Sequence, residues 1–244
     1  LVWLRRHKIS QCVWFCPVSL METARREILK HTTCADADIH VFGPQTRESA
    51  LPKAGWYIVG LESLGSSARV VCTLDKLIDE KTFIVVDEST YIKGHRAKRT
   101  NRLIVLGKRT AYRLLLTGTP ITQGIEDLYT QMTFLSPKIL DYHSWYTFRR
   151  HHILFDQHKK GLIVDRYDTR TIYQRIAPYV YEVRKEDCLD LPPKTYKHVW
   201  CFFSDEQQRL YQAVKERFYD DLMEYDPSET GVAIYRLFGG LHAV

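Results

Sequence analysis

The sequence predicts an α/β protein: an open, mostly parallel sheet with helices on both faces, followed by a mainly helical appendage. Three observations predict it. Five short apolar runs recur through the first half of the chain, they are continuous rather than alternating, and the stretches between them are polar or helical. A strand with apolar residues on both of its faces belongs in a parallel sheet covered by two helical layers. Strand–helix alternation leads to the same architecture.

In chain order the runs fall at residues 13–16, 39–42, 57–59, 83–86 and 113–116. After the first, Ser19 and Glu22 have the spacing of a capping box, and Leu20, Ala24 and Ile28 share one helical face. A further helix is expected from Thr122, since Ile125, Leu128, Met132 and Leu135 recur at helical spacing. Pro137 marks a change, because residues 137–190 are rich in aromatics, Arg and His. The stretch Trp145-Tyr-Thr-Phe-Arg-Arg-His-His152 within it reads either as a solvated helical face or as a surface for a polyanion. Leu191-Pro-Pro-Lys194 has the composition of a linker, and an extended run from Tyr196 to Phe203 follows. Ser204 and Gln207 then give a second capping box, opening a helix with Leu210, Val214, Phe218 and Leu222 on one packing stripe. The division is therefore an α/β lobe over residues 1–136, a helical insertion over 137–190, and a linker with helices over 191–244.

The 244 residues have room for a sizeable core, and 45% hydrophobic with 26% charged residues is ordinary for a globular protein. A formal charge of +6 suits a polyanionic partner without requiring one. None of the six cysteines forms a Cys-x-x-Cys pair, so they read as reduced, mostly buried thiols rather than metal ligands. No apolar run approaches the roughly 20 residues of a membrane-spanning helix. The first residues are apolar and then basic, the reverse of a secretory signal. These features point to an intracellular protein, in cytoplasm or nucleus, with no membrane partner. Leu rather than Met at position 1 reads as the interior of a larger protein.

The chemistry concentrates in two strand ends. Phe83-Ile-Val-Val-Asp87-Glu88 brings a buried strand to two adjacent carboxylates. Ligands of open α/β sheets bind at the carboxyl ends of strands. Nucleotide hydrolysis needs one carboxylate for a hydrated magnesium ion and another to orient or deprotonate water. Alone, such a pair more often opens a solvated loop. The next strand, 113–116, ends in Thr117-Gly118-Thr119-Pro120, which alone would read as a turn and a helix cap. Its place one strand–helix unit after Asp87 and Glu88 gives it meaning.

At this point the chain resembles the Swi/Snf-like DNA translocases of helicase superfamily two. The resemblance is carried in order by Val13-Trp-Phe-Cys-Pro17-Val-Ser19-Leu20, Ile58-Val-Gly-Leu-Glu62-Ser63-Leu64, Asp87-Glu88-Ser89-Thr90-Tyr-Ile92-Lys93 and Leu116-Thr-Gly-Thr-Pro-Ile121. Leu128-Tyr129, Phe134-Leu135-Ser-Pro137, Arg184-Lys-Glu-Asp187, Leu191-Pro-Pro-Lys194 and the helix beginning at Ser204 continue it. The resemblance implies a RecA-like lobe of the P-loop NTPase type, with ATP and Mg2+ as ligands and duplex DNA bound without regard to sequence. It implies that Asp87 binds Mg2+ and that Glu88 positions the hydrolytic water. Thr90, Thr117, Gly118 and Thr119 would couple nucleotide state to DNA. Pro17, Ser19 and Lys93 would lie at the DNA backbone.

Two features depart from the family's pattern. Thr90 stands where the family has His, so coupling is open to change. No Gly-x-x-x-x-Gly-Lys-Ser/Thr loop occurs, and Gly107-Lys108-Arg109-Thr110, the nearest approach, precedes the wrong strand. The expectation is a fragment of a DNA-stimulated translocase whose phosphate loop and second RecA-like lobe lie outside these residues, and which alone hydrolyses ATP negligibly. The alternative is a non-catalytic module that keeps the fold to bind DNA or protein. A motor serving a restriction or RNA-directed machine is a third reading, disfavoured by the Ile-Lys and Leu-Pro-Pro-Lys signatures.

Overall fold

The computed structural model describes residues 8–156, 163–188, 190 and 195–224. Its chain divides into two compact units, residues 1–182 and 183–244.

The first unit is organised by a five-stranded sheet: β1 (Gln11–Cys16), β2 (Ile39–Val41), β3 (Trp56–Gly60), β4 (Thr82–Val86) and β5 (Tyr112–Leu115). All neighbours are parallel, in the order β2-β3-β1-β4-β5. The five apolar runs of the sequence are these five strands, each within about one or two residues of its expected bounds. The register pairs Cys16 with Gly60, Phe15 with Val86, and Val86 with Leu115, so the carboxyl ends of the four strands lie side by side. The chain leaves β1 toward β2 and β3 on one side, then crosses to β4 and β5 on the other. The ends of β1 and β4 therefore form the topological switch point, where such sheets bind ligands.

Helices cover both faces. Helix α1 (Met21–His31) buries Met21, Ala24 and Ile28 against Ile39, Ile58 and Cys16. On the other face, α2 (Ser63–Ser66), α3 (Ala68–Leu77), α4 (Lys98–Gly107) and α5 (Asp127–Leu135) bring Leu64, Leu74, Leu103, Leu106 and Phe134 onto Val13, Phe15, Val59, Ile84 and Val86. At about 25 cal/mol per Å2 of apolar surface buried, this cluster, larger than the one under α1, contributes the more to holding the sheet.

Three local expectations are corrected. The Ser19–Glu22 capping box does not form: residues Val18–Leu20 make a single 3-10 turn, α1 begins at Met21 without a side-chain cap, and Leu20 is exposed. Tertiary packing decides this, because Met21 rather than Leu20 reaches the core. The helix expected from Thr122 begins only at Asp127, whose carboxylate instead takes the N–H groups of Thr122 and Gln123. Strand β5 is not covered on both faces, and Leu114 is 41% exposed. Among the described residues α1 reaches only β1, β2 and β3 on that face, and β5 is an edge strand.

The appendage is mainly helical, as expected, with one short antiparallel pair inserted. After α6 (Pro137–Leu140) and α7 (Trp145–His152) comes an antiparallel pair, β6 (Ile153–Phe155) with β7 (Ile163–Arg166), and then α8 (Thr169–Ile176). Phe148, Ile172, Ile176, Ile139 and Leu140 pack on Ile125, Leu128 and Met132, joining this region to the α5 side of the lobe. The basic aromatic stretch is thus a core element on one side: Phe148 and His152 are buried, and His152 Nε2 lies 2.6 Å from the Tyr142 hydroxyl.

The second unit contains α9 (Lys185–Cys188) and α10 (Asp205–Glu224). The second capping box does form: Gln207 N–H donates to Ser204 Oγ at 3.3 Å, and Ser204 N–H donates to Gln207 Oε1 at 3.1 Å. On the expected stripe Leu210 is exposed and Val214 half-buried, while the side chains of Phe218 and Leu222 lie outside the described residues. The linker at 191–194 also lies outside them.

Candidate functional site

The switch point collects the residues that the sequence singled out. Asp87 follows the last residue of β4, and its N–H donates to Phe15 O at 2.7 Å, fixing it between β4 and β1. Glu88 adopts a left-handed backbone, φ 50°, ψ 56°, which costs a non-glycine residue about 1–2 kcal/mol. The turn is held there because Ser89 N–H donates to Leu116 O at 3.0 Å and Tyr91 N–H donates to Glu88 O at 3.0 Å. Strain sustained by its surroundings at the end of a central strand is a feature of functional turns.

Both carboxylates are half-buried. Asp87 Oδ1 accepts the N–H of Glu88 at 3.0 Å, and among the described residues neither side chain has a cationic partner. Glu62, two residues past β3, adds a third acid on the far side of β1, where its Oε2 accepts the N–H of Val18 at 3.1 Å. The buried Cys16 thiol registers this field. Burial first, then the charges of Asp87 and Glu62, push it up to about 12. These strand ends are thus negative, and their acids have no cationic partner among the described residues. That environment fits a hard divalent cation, which takes one or two protein carboxylates and completes its shell with water and substrate phosphate. No cluster of three or more metal-ligating side chains exists among the described residues, so Asp87 would hold Mg2+ only together with a nucleotide.

Beside β4, the chain leaves β5 through Leu116, whose N–H donates to Val86 O at 2.8 Å. Thr117 follows, half-buried, and its Oγ1 accepts the N–H of Thr119 at 3.1 Å, while Gly118 and Thr119 are exposed. The structure therefore brings Asp87, Glu88, Thr117, Gly118 and Thr119 to neighbouring strand ends. Pro17 is buried at the end of β1 and Ser19 is exposed in the following 3-10 turn. Gly60 permits that turn to sit on β3, since a Cβ there would run into Val18 Cγ2. Lys93 is drawn inward: its ammonium donates to Thr122 Oγ1 and lies 3.6 Å from Asp127 Oδ2.

Three functional candidates were not legible as such. Ser89 is fully buried, and its hydroxyl donates to Gln131 Oε1 at 2.6 Å. Gln131 Nε2 donates to Pro120 O and to Asp127 O, both at 2.8 Å. Buried Asp127 accepts Thr122 N–H, Thr122 Oγ1–H and Gln123 N–H at 2.8–3.0 Å. Burial would raise its carboxyl, but the Gln123 and Thr122 donors and the Lys93 charge outweigh it and hold it low. The available signal was Gln131 itself, a polar residue between Leu128 and Leu135 on an otherwise apolar stripe. Thr90, by contrast, is half-exposed, and its hydroxyl has no hydrogen-bond partner among the described residues.

The model of the SNF2-related domain family matches residues 5–235. Among curated relatives, the TATA-binding protein-associated factor mot1 of Schizosaccharomyces pombe is 28% identical over 207 residues, 80% of this chain and 10% of that protein. The chromatin-remodeling ATPase INO80 of Arabidopsis thaliana is 28% identical over 136 residues, 55% of this chain and 9% of that protein. The chain thus spans about a tenth of the length of these relatives. The Sulfolobus solfataricus SWI2/SNF2 ATPase core, solved in complex with double-stranded DNA, superimposes with a TM-score of 0.61 at 24% identity, covering 97% of this chain and 48% of that one. The shared fold is the RecA-like sheet described above.

Proposed function

Because the chain belongs to the SNF2-related domain family, we propose that it supplies the water-activating half of an ATP-driven motor that moves along duplex DNA without regard to sequence. The observation that carries this reading is the Asp87–Glu88 pair at the topological switch point, which has no cationic partner among the described residues and whose turn is bonded through Ser89 N–H to the Thr-Gly-Thr-Pro strand. A module that only bound DNA would have no use for two adjacent acids, held without cations, on a strained turn.

In this reading Asp87 fixes the ion that accompanies the nucleotide, and that ion supplies charge neutralisation at the phosphates. Glu88 accepts a hydrogen bond from the attacking water and aligns it with the terminal phosphoryl group. Thr117, Gly118 and Thr119 occupy the neighbouring strand end and respond to the occupancy of the site. The exposed Ser19 hydroxyl and the turn following buried Pro17 are placed to meet phosphates of the DNA backbone. Lys93 joins them on exchanging its bonds to Thr122 and Asp127 for a phosphate.

The 244 residues contain no Gly-x-x-x-x-Gly-Lys-Ser/Thr sequence. Within this reading, the phosphate loop and a second RecA-like lobe belong to the full-length protein, and residues 1–136, 137–190 and 191–244 serve as first lobe, insertion and connection. Its setting is intracellular, in cytoplasm or nucleus. No helix among the described residues is long and apolar enough to cross a membrane. The test is ATP turnover by the full-length protein with and without duplex DNA, beside its Glu88→Gln variant. DNA stimulation that the variant abolishes supports the motor. DNA binding without turnover in the wild type points to a binding module.

A further inference from the structure

Ser89 and Gln131 close a buried circuit between the two strand ends of the site. Ser89 immediately follows Glu88 and is tied twice to the loop after β5. Its N–H reaches Leu116 O, just before Thr117, at 3.0 Å, and its hydroxyl reaches Pro120 O, just after Thr119, through the side chain of Gln131. The Thr117–Thr119 segment is therefore gripped at both ends by the residue next to the water-positioning acid. The circuit has only one polarity. Gln131 Nε2 faces two carbonyl oxygens, so its amide cannot be turned over without setting oxygen against oxygen, and Ser89 must then be the donor. Ser89 is 0% and Gln131 1% exposed, so water does not replace any lost bond. Lys93 adds a parallel tie to the same loop through Thr122 and Asp127.

We infer that Ser89 and Gln131 are positioning residues that make the Glu88 turn and the Thr117–Pro120 loop move as one body, so that a change at the loop on DNA binding is delivered to Glu88. This rests on the motor reading above. It assigns to Ser89 the coupling that the family resemblance places at Thr90, whose hydroxyl has no partner among the described residues. A donor–acceptor chain through a buried amide can carry such coupling because it has two discrete states, made or broken.

The test compares full-length wild type with Ser89→Ala, Gln131→Met, the double variant, Thr90→Ala and Glu88→Gln. Measured quantities are the ratio of DNA-stimulated to basal ATP turnover, the KM for ATP, the Kd for duplex DNA and the melting temperature. The ratio is expected to fall about tenfold in Ser89→Ala and in Gln131→Met, no further in the double variant, and less than twofold in Thr90→Ala. KM and Kd are expected to stay within about twofold, because neither side chain touches ligand. Ser89→Ala removes a single hydroxyl, so it keeps the test open should Gln131→Met fold poorly. Retention of the wild-type ratio in Ser89→Ala overturns the inference. Basal and stimulated rates falling together with a lower melting temperature also overturn it, leaving a structural role. A wild type that DNA does not stimulate, or a Glu88→Gln variant that turns over normally, removes the motor reading and the inference with it.

Discussion

Two adjacent pairs of acids, Asp87–Glu88 and Glu126–Asp127, lie on the same lobe and are treated in opposite ways. Glu126 receives a bidentate grip from Arg166, whose Nε and Nη2 donate to its two carboxylate oxygens at 2.9 and 2.7 Å. Asp127 collects two N–H groups and a hydroxyl. Asp87 accepts the N–H of its neighbour, and Glu88 has no hydrogen bond to its side chain among the described residues. The first arrangement anchors a loop and the second leaves acceptor capacity open at the switch point. Stability should therefore reside in one pair and chemistry in the other.

The largest expected effect on stability is at Asp127. Asp127→Ala removes a buried carboxylate and leaves the donors of the exposed Thr122 and Gln123 to water, and should cost about 2 kcal/mol in urea unfolding. A cost below about 0.5 kcal/mol would erase the contrast between the pairs.

Titration sharpens it. The hydrogen bond from Arg166 holds Glu126 below its usual range despite the opposing effect of burial, and Asp127 is also held low. A carboxyl depressed in the folded state stabilises fully above its unfolded pKa, and that contribution is lost as pH falls through the folded value. Wild-type stability should decline between about pH 5 and pH 3, and Asp127→Ala should flatten part of that slope. A slope unchanged by the substitution would contradict this assignment.

A smaller effect belongs to Arg166→Ala, which removes the partly exposed ion pair and should cost about 1 kcal/mol. Asp87→Asn completes the contrast, with stability unchanged within about 0.5 kcal/mol, or slightly raised, because it relieves the field shared with Glu62 and Glu88.

The sheet was legible because a parallel strand must be apolar on both faces, and residues 13–16 and 83–86 have no other economical reading. β5 misled for a related reason: after Arg113 its run is as apolar as the others, but sequence does not say which strand is the edge. The acids and the Thr-Gly-Thr-Pro turn were legible through local motif and order. The Ser89–Gln131 circuit was not, because it joins residues 42 apart through a side-chain amide whose partners are set only by packing. Nor was the start of α5, where helical periodicity from Ile125 onward is real but Asp127 diverts the N–H groups of Thr122 and Gln123.

The central claim is that the Asp87–Glu88 pair performs chemistry. It is tested most directly by ATP hydrolysis of the full-length protein with duplex DNA, wild type against Glu88→Gln. The expected result is DNA-stimulated turnover reduced at least about a hundredfold by the substitution, with nucleotide and DNA binding retained. Equal turnover in the two proteins, or none in the wild type while DNA binding persists, would contradict it.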